Sequence, residues 1–542
     1  MDWGNRAIRI AILLLLVLSS AGLRASYTSA QEPVETPLIR QTEIVIPVTE
    51  YEWWVLRWIN NQIVCQLKVA HEGVPTAAEV FDLCGEVVYD EWIATPPCEL
   101  PEQGEADVSG CSGMYFYLVG SSNAERTVTI DLPLPTVWLS LAGCSPVPPE
   151  NICGEIPSLL FTGEEPLPNE QITAINIIIE GVLFRCEAEA CEVPPQSTLS
   201  RGAQVEFWAE SSFGDESEHF TALVRVQDTG ATSIPDGQGW HVDVISSQWR
   251  GQQLESCAQI WKAFPPVGGS PFWLSTPSEE VLLASDEPYH YLAGRLINHG
   301  LVDASACPAG GLLENGYANA CGLESARPMV DLWQNQFDSP ILQVAQETGL
   351  PAQLMKNLFA QESQFWPGVF RVVREFGLGQ LTDMGADTIL LWNEDFFNQF
   401  CPLVLDAEVC GGGYLSLQEE ERAILRGALA VEANADCPEC STGIDLTAAS
   451  YSVNLFAQSL IANCRQVHRT IFNATESIPG EVSTYENLWR FTLANYHAGP
   501  GCLAFAIHEV WADNDPLDWE HVSAQLTEPC QGVISYVDLI AH

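Results

Sequence analysis

The chain has 542 residues, 47% of them apolar, so it can bury several cores and divides into three or four domains at roughly 150 residues each; this excludes a disordered protein. Its 71 acidic residues against 22 basic ones give a formal charge of −49, which repels nucleic acid and anionic lipid and argues against both as partners. Strong acidity otherwise bears on solubility and names no substrate.

Arg6 and Arg9 precede an apolar run from Ile10 to Leu18, and small and polar residues follow as far as Thr28-Ser29-Ala30, the pattern of a signal peptide over residues 1–30. The run is shorter than the roughly 20 residues that span a bilayer, and Arg24 interrupts its extension. We therefore expect cleavage, no membrane insertion afterwards, and an extracytoplasmic location, secreted or at the cell surface. The 18 cysteines form an even set that can pair fully in an oxidising compartment, and we expect structural disulfides. Neither metal nor cofactor is expected: Cys437-Pro-Glu-Cys440 has no second cysteine pair at ligand spacing, and no His-x-x-x-His occurs.

Residues 31–42 form an exposed linker. Residues 43–160 alternate apolar and polar positions, as in Thr127 to Leu132, between Pro/Gly/Ser clusters, which predicts a β-rich, disulfide-bearing domain. Tyr51-Glu-Trp-Trp54 and Trp58 within it could stack on sugar rings and support a wall or cell-surface partner, although aromatics in strands are more often core. Over 161–254, strand patterns at Ile172 to Ile179, Ala203 to Trp208, Thr221 to Val226 and His241 to Ile245 fit a β-sandwich of immunoglobulin-like kind. Residues 255–330 mix Gly, Pro and Cys with short apolar pieces and are expected to be a connector. Asn473-Ala-Thr475 matches a glycosylation sequon, a triplet too common to carry weight.

From residue 331 to 542 the period becomes helical. Pro340 to Thr348 predicts one helix ended by Gly349, and a second begins at Pro351. In that second helix Leu354, Leu358 and Glu362 recur every four residues on one face, so Glu362 falls in the last turn of an apolar stripe. Burial and the negative end of the helix dipole both disfavour its charged form, which makes Glu362 a candidate proton donor to a glycosidic oxygen. Taken alone, a glutamate near a helix end is more often exposed or salt-bridged.

Two later motifs change that balance: Gly377-Leu378-Gly379-Gln380, and Asn495-Tyr496-His497-Ala-Gly499-Pro-Gly501. With Glu362-Ser363, and with Gly377 fifteen residues after Glu362, residues 331–542 resemble the Slt-type lytic transglycosylase family, whose catalytic domain is lysozyme-like. The resemblance says nothing about the first 330 residues and implies, for 331–542, a mainly α, lysozyme-like domain that acts on peptidoglycan glycan strands. With the strand patterns before it, the chain reads as a multidomain protein with N-terminal β-rich domains followed by that helical domain. It implies Glu362 as the catalytic acid and Tyr496 as the phenol bonded to its carboxyl. Ser363, Gly377, Leu378, Gly379, Gln380, His497 and Gly499 would contact substrate. The glycines allow close backbone approach, and the Gln380 amide can both donate and accept.

The chain departs from the family at His497, where the family has Asn, at Gly379, where it has Met, and at Arg371, where it often has Ser. About 115 residues separate Gln380 from Tyr496, and Cys401, Cys410, Cys437, Cys440 and Cys464 within that interval predict a disulfide-stapled insertion, placed at about 395–445. Two other readings stay open. A lysozyme-like hydrolase would need a second carboxylate, for which Glu375, Asp383 and Asp387 are candidates. An inactive wall-binding protein would use the β domains alone.

Overall fold

The structure is a computed structural model that describes residues 40–96, 112–144, 152–228, 239–367 and 375–542. The expected signal peptide, nearly all of the linker and Arg371 lie outside them. The chain separates into two compact units, residues 1–133 with 213–215, and the remainder.

In the first unit, β1 (Gln41–Arg57) lies between β2 (Ile63–Val69) and β3 (Met114–Asp131), all antiparallel. Two short helices, α1 (Ala77–Cys84) and α2 (Glu86–Ile93), follow β2. Thr76 and Glu79 cap α1 reciprocally, and the Cys65–Cys84 disulfide fastens it to β2. Strand alternation splits the aromatic run. Trp53 enters a core with Val55, Leu67, Val80 and Met114, whereas Trp54 lies beside the exposed Tyr117, and Trp58 stacks on Tyr115 at 4.1 Å.

The second unit opens with two antiparallel sheets on one core. One is three-stranded: β4 (Thr136–Ala142), β6 (Ser158–Glu164) and β9 (Ala190–Val193). The other runs β5-β12-β11-β10-β7-β8, from β5 (Ile152–Cys153), β7 (Ile172–Ile179), β8 (Val182–Cys186), β10 (Ala203–Ser211), β11 (Phe220–Asp228) and β12 (Trp240–Ile245). The four strands expected here are present. The first β region nevertheless ends near Pro133 rather than at 160, because Val137, Leu139, Leu159 and Phe161 fill the core of these two sheets. Period-2 patterning fixes which face is buried but not which sheet a strand joins.

The rest is helical: α3 (Ser256–Trp261), α4 (His290–Asn298), α5 (Ala320–Asn335), α6 (Asp338–Thr348), α7 (Ala352–Ser363), α8 (Asp383–Trp392), α9 (Glu419–Ala433), α10 (Leu446–Thr475), α11 (Tyr485–Ala498), α12 (Pro500–Ala512) and α13 (Gly532–Ile540). Residues 255–330 are not a bare connector: Trp261, Trp273, Leu292 and Ala326 belong to the same core as α7 and α10, and Cys257 is bonded to Cys464 of α10. Short helices broken by Gly and Pro hid that periodicity. The 395–445 segment is stapled by Cys401–Cys410 and Cys437–Cys440, and it buries Leu425, Leu429 and Ala433 in this core. Eight disulfides join described cysteines, and among the described residues no helix is long and apolar enough to cross a membrane.

Candidate active site

Helix α7 starts after Pro351 and stops at Ser363 because Gln364 and Phe365 both take left-handed conformations, φ 47° and 59°. Ala352, Leu354, Met355, Leu358 and Phe359 are buried, so the helix is packed almost all round, and Glu362 keeps only an accessible edge. Gln364 fixes the exit. Its Oε1 accepts from the N–H groups of Tyr291 and Leu292 at the start of α4, at 2.8 and 3.1 Å, and its Nε2 donates to Glu287.

Burial raises the pKa of the Glu362 carboxyl from 4.5 to about 7; a hydrogen bond from Tyr536 opposes that rise, and the nearby Glu375 charge adds to it. The phenol bonded to Glu362 is Tyr536 of α13, at 2.5 Å, and not Tyr496 as the resemblance implied. Tyr496 donates instead to the carbonyl of Gly379, also at 2.5 Å, because α11 brings it against the Gly377–Gln380 loop. It stays near enough for the Glu362 charge to add to burial in raising its own pKa well above the ordinary phenol value. Burial does the same for Tyr536, reinforced by Glu362.

The loop is a tight turn closed by paired backbone bonds between Phe376 and Leu381, at 3.0 and 2.8 Å. Gly377 has φ +74°, and a side chain there would collide with the carbonyl of Ala433, the last residue of α9. At Gly379 a Cβ would lie 2.4 Å from the Phe456 ring, so a side chain has no room there. The disulfide-stapled segment thus backs the loop. Gln380 folds its Nε2 onto the Gly377 carbonyl at 2.7 Å, while its buried Oε1 has no partner among the described residues.

Three other predicted residues sit differently. Leu378 is fully buried in the helical core, and Ser363 is buried with its hydroxyl donating to the Phe359 carbonyl, so both face protein rather than a groove. Each follows its own element's buried face: Ser363 turns back along α7, and Leu378 fills the inside of the turn. His497 keeps an exposed surface and stacks on Tyr536 at 4.0 Å. Gly499, φ +79°, ends α11 so that Pro500 can begin α12.

Of the candidate second carboxylates, Glu375 alone acts on Glu362 electrostatically. Asp387 is held by Arg426 at 3.0 Å and by the Tyr414 hydroxyl, and Asp383 is exposed in the first turn of α8. Tyr536 escaped sequence reasoning, although Val533, Tyr536, Val537 and Ile540 recur at helical spacing and would have placed it on a buried stripe. Among the described residues no group of His, Cys, Asp and Glu could hold a metal ion. The chain matches no family model, no curated protein and no solved structure.

Proposed function

We propose that this protein is an extracytoplasmic peptidoglycan lytic transglycosylase whose helical part is lysozyme-like and whose proton donor is Glu362. The observation that carries this reading is a buried carboxyl with a pKa of about 7 at a helix end, bonded by Tyr536 and close enough to Tyr496 to raise that phenol's pKa, with Tyr496 in turn holding the Gly379 carbonyl. A carboxyl half-protonated at neutral pH serves first as acid and then as base. Glu362 gives its proton to the glycosidic oxygen as the C1–O bond breaks. The resulting carboxylate then takes the proton of the C6 hydroxyl, whose oxygen closes on C1 of the same sugar to form a 1,6-anhydro end. No water is consumed, and the carboxyl is restored.

Tyr536 supports this cycle because a phenol can donate to the carboxylate form and so limit how far burial raises the pKa. The alternative, a hydrolase, is favoured by one observation: Glu375 is close enough to perturb Glu362, as a second carboxylate would be.

Digestion of purified peptidoglycan followed by mass spectrometry separates the two. The transglycosylase gives 1,6-anhydro muropeptides and the hydrolase gives reducing ends. No products at all, or full activity in Glu362→Gln, refutes both.

A further inference from the structure

Helix α4 carries Tyr291 and Arg295, and His299 caps its C-terminal end; at four-residue spacing the three fall on one side. All three meet rings. The guanidinium carbon of Arg295 lies 5.2 Å from the centre of Trp366 and 6.0 Å from that of Tyr291, and His299 is 5.2 Å from Trp366. Tyr291 packs against Tyr317, an exposed ring 5.5 Å away. Trp366 is fully buried and stacked on Trp333 at 4.9 Å, and the Trp333 indole is itself fixed by a 2.8 Å bond to the Phe365 carbonyl. The cluster is tied to the end of α7 through Gln364, which caps α4 at Tyr291 and Leu292.

Two buried donors in this cluster, Arg295 Nε and Trp366 Nε1, have no hydrogen-bond partner among the described residues. Among the described residues no carboxylate pairs with Arg295 either, although acids outnumber bases 71 to 22 and Arg225, Arg426 and Arg465 each hold one. Arg422 also has a buried, unpartnered Nε, but it turns an Nη to the Leu415 carbonyl. Arg295 makes no such bond among the described residues. Burial and Arg295 push the His299 pKa down, so the guanidinium carries the local charge. A half-buried guanidinium framed by rings and lacking an acceptor matches the planar, two-oxygen geometry of a carboxylate.

We propose that Arg295, framed by Tyr291, His299 and Trp366, is a recognition site for a carboxylate carried on the substrate strand, at the end of the helix that bears Glu362. That the carboxylate belongs to a wall glycan rests on the transglycosylase reading; the anion site itself does not. Two sources offer the same chemistry, the lactyl carboxylate of N-acetylmuramic acid and the terminal carboxylate of a stem peptide.

The test is a titration of the full chain followed through the Trp366 indole N–H signal, assigned by its disappearance in Trp366→Phe. The probes are N-acetylmuramic acid, N-acetylglucosamine and D-alanyl-D-alanine. At least one carboxylate probe is expected to move the signal saturably, which also identifies the source, while N-acetylglucosamine leaves it in place. Arg295→Gln should weaken that binding about tenfold or more, and Arg295→Lys less. Calorimetry on unchanged and Arg295→Gln chains gives the same reading should Trp366→Phe fail to fold. Glu362→Gln should retain the shift, so failure of the catalytic reading and failure of this one are separable. Equal shifts with N-acetylglucosamine, no shift with either carboxylate, or undiminished binding in Arg295→Gln overturns the proposal.

Discussion

Tyr536→Phe and Glu375→Gln should move the alkaline limb of the pH–activity profile in opposite directions. Glu362 acts as an acid only while protonated, so kcat/KM for muropeptide release is expected to fall as pH rises through about 7. The Tyr536 hydrogen bond holds that pKa down, at 2.5 Å from the carboxyl. A hydrogen bond to a charged group contributes about 1.5 kcal/mol or more, and about 1.4 kcal/mol corresponds to one pH unit. Tyr536→Phe should therefore shift the limb upward by about one unit. Glu375 holds the pKa up through its charge, so Glu375→Gln should shift the limb downward, by less because the two groups share no hydrogen bond. The assay is initial rates on purified peptidoglycan between pH 4.5 and 9 at constant ionic strength. Parallel shifts in both variants, or an unchanged limb in Tyr536→Phe, would refute the account of how the carboxyl is tuned.

Other outcomes follow from the same geometry. Glu362→Gln should cut kcat by about 10²- to 10⁴-fold, with the fold unchanged by circular dichroism. It should also stabilise the protein selectively at high pH. The Glu362 carboxyl is raised from 4.5 to about 7 in the folded state, so its contribution is full below about pH 4.5 and is lost as pH rises through 7; urea unfolding should show Glu362→Gln ahead by up to about 3 kcal/mol at pH 8 and by little at pH 4. Gly379→Ala drives a Cβ against Phe456 and should cost about 1–3 kcal/mol, part of it recovered in the double variant with Phe456→Leu; simple additivity would exclude the proposed collision. Replacing Cys257 and Cys464 by Ser opens a closure of 207 residues and should cost up to about 5 kcal/mol, against about 2 for Cys437 and Cys440, separated by 3, as read from denaturation midpoints.

Local rules made some features legible without coordinates. The four-residue spacing of Leu354, Leu358 and Glu362 gave both the helix and the half-buried carboxyl, since a helix places such residues on one face whatever surrounds it. Gly349 marked a helix end because positive φ suits glycine. Strands β7, β10, β11 and β12 were readable from alternation. Sequence patterns did not show that β4 and β6 leave the first β region, nor that residues 255–330 share the core of α7 and α10, because both depend on which buried face meets which.

The same division runs through the candidate site. The sequence by itself determined that Glu362 would be a carboxyl at the end of an apolar helical stripe, because that is a property of one helix. Only the tertiary structure decided that Tyr536, 174 residues away, donates to it, that Tyr496 instead holds the Gly379 carbonyl, and that Leu378 and Ser363 turn inward. Spacing within an element follows from covalent geometry, whereas the partner of a buried polar atom is whichever group packing brings within hydrogen-bond reach.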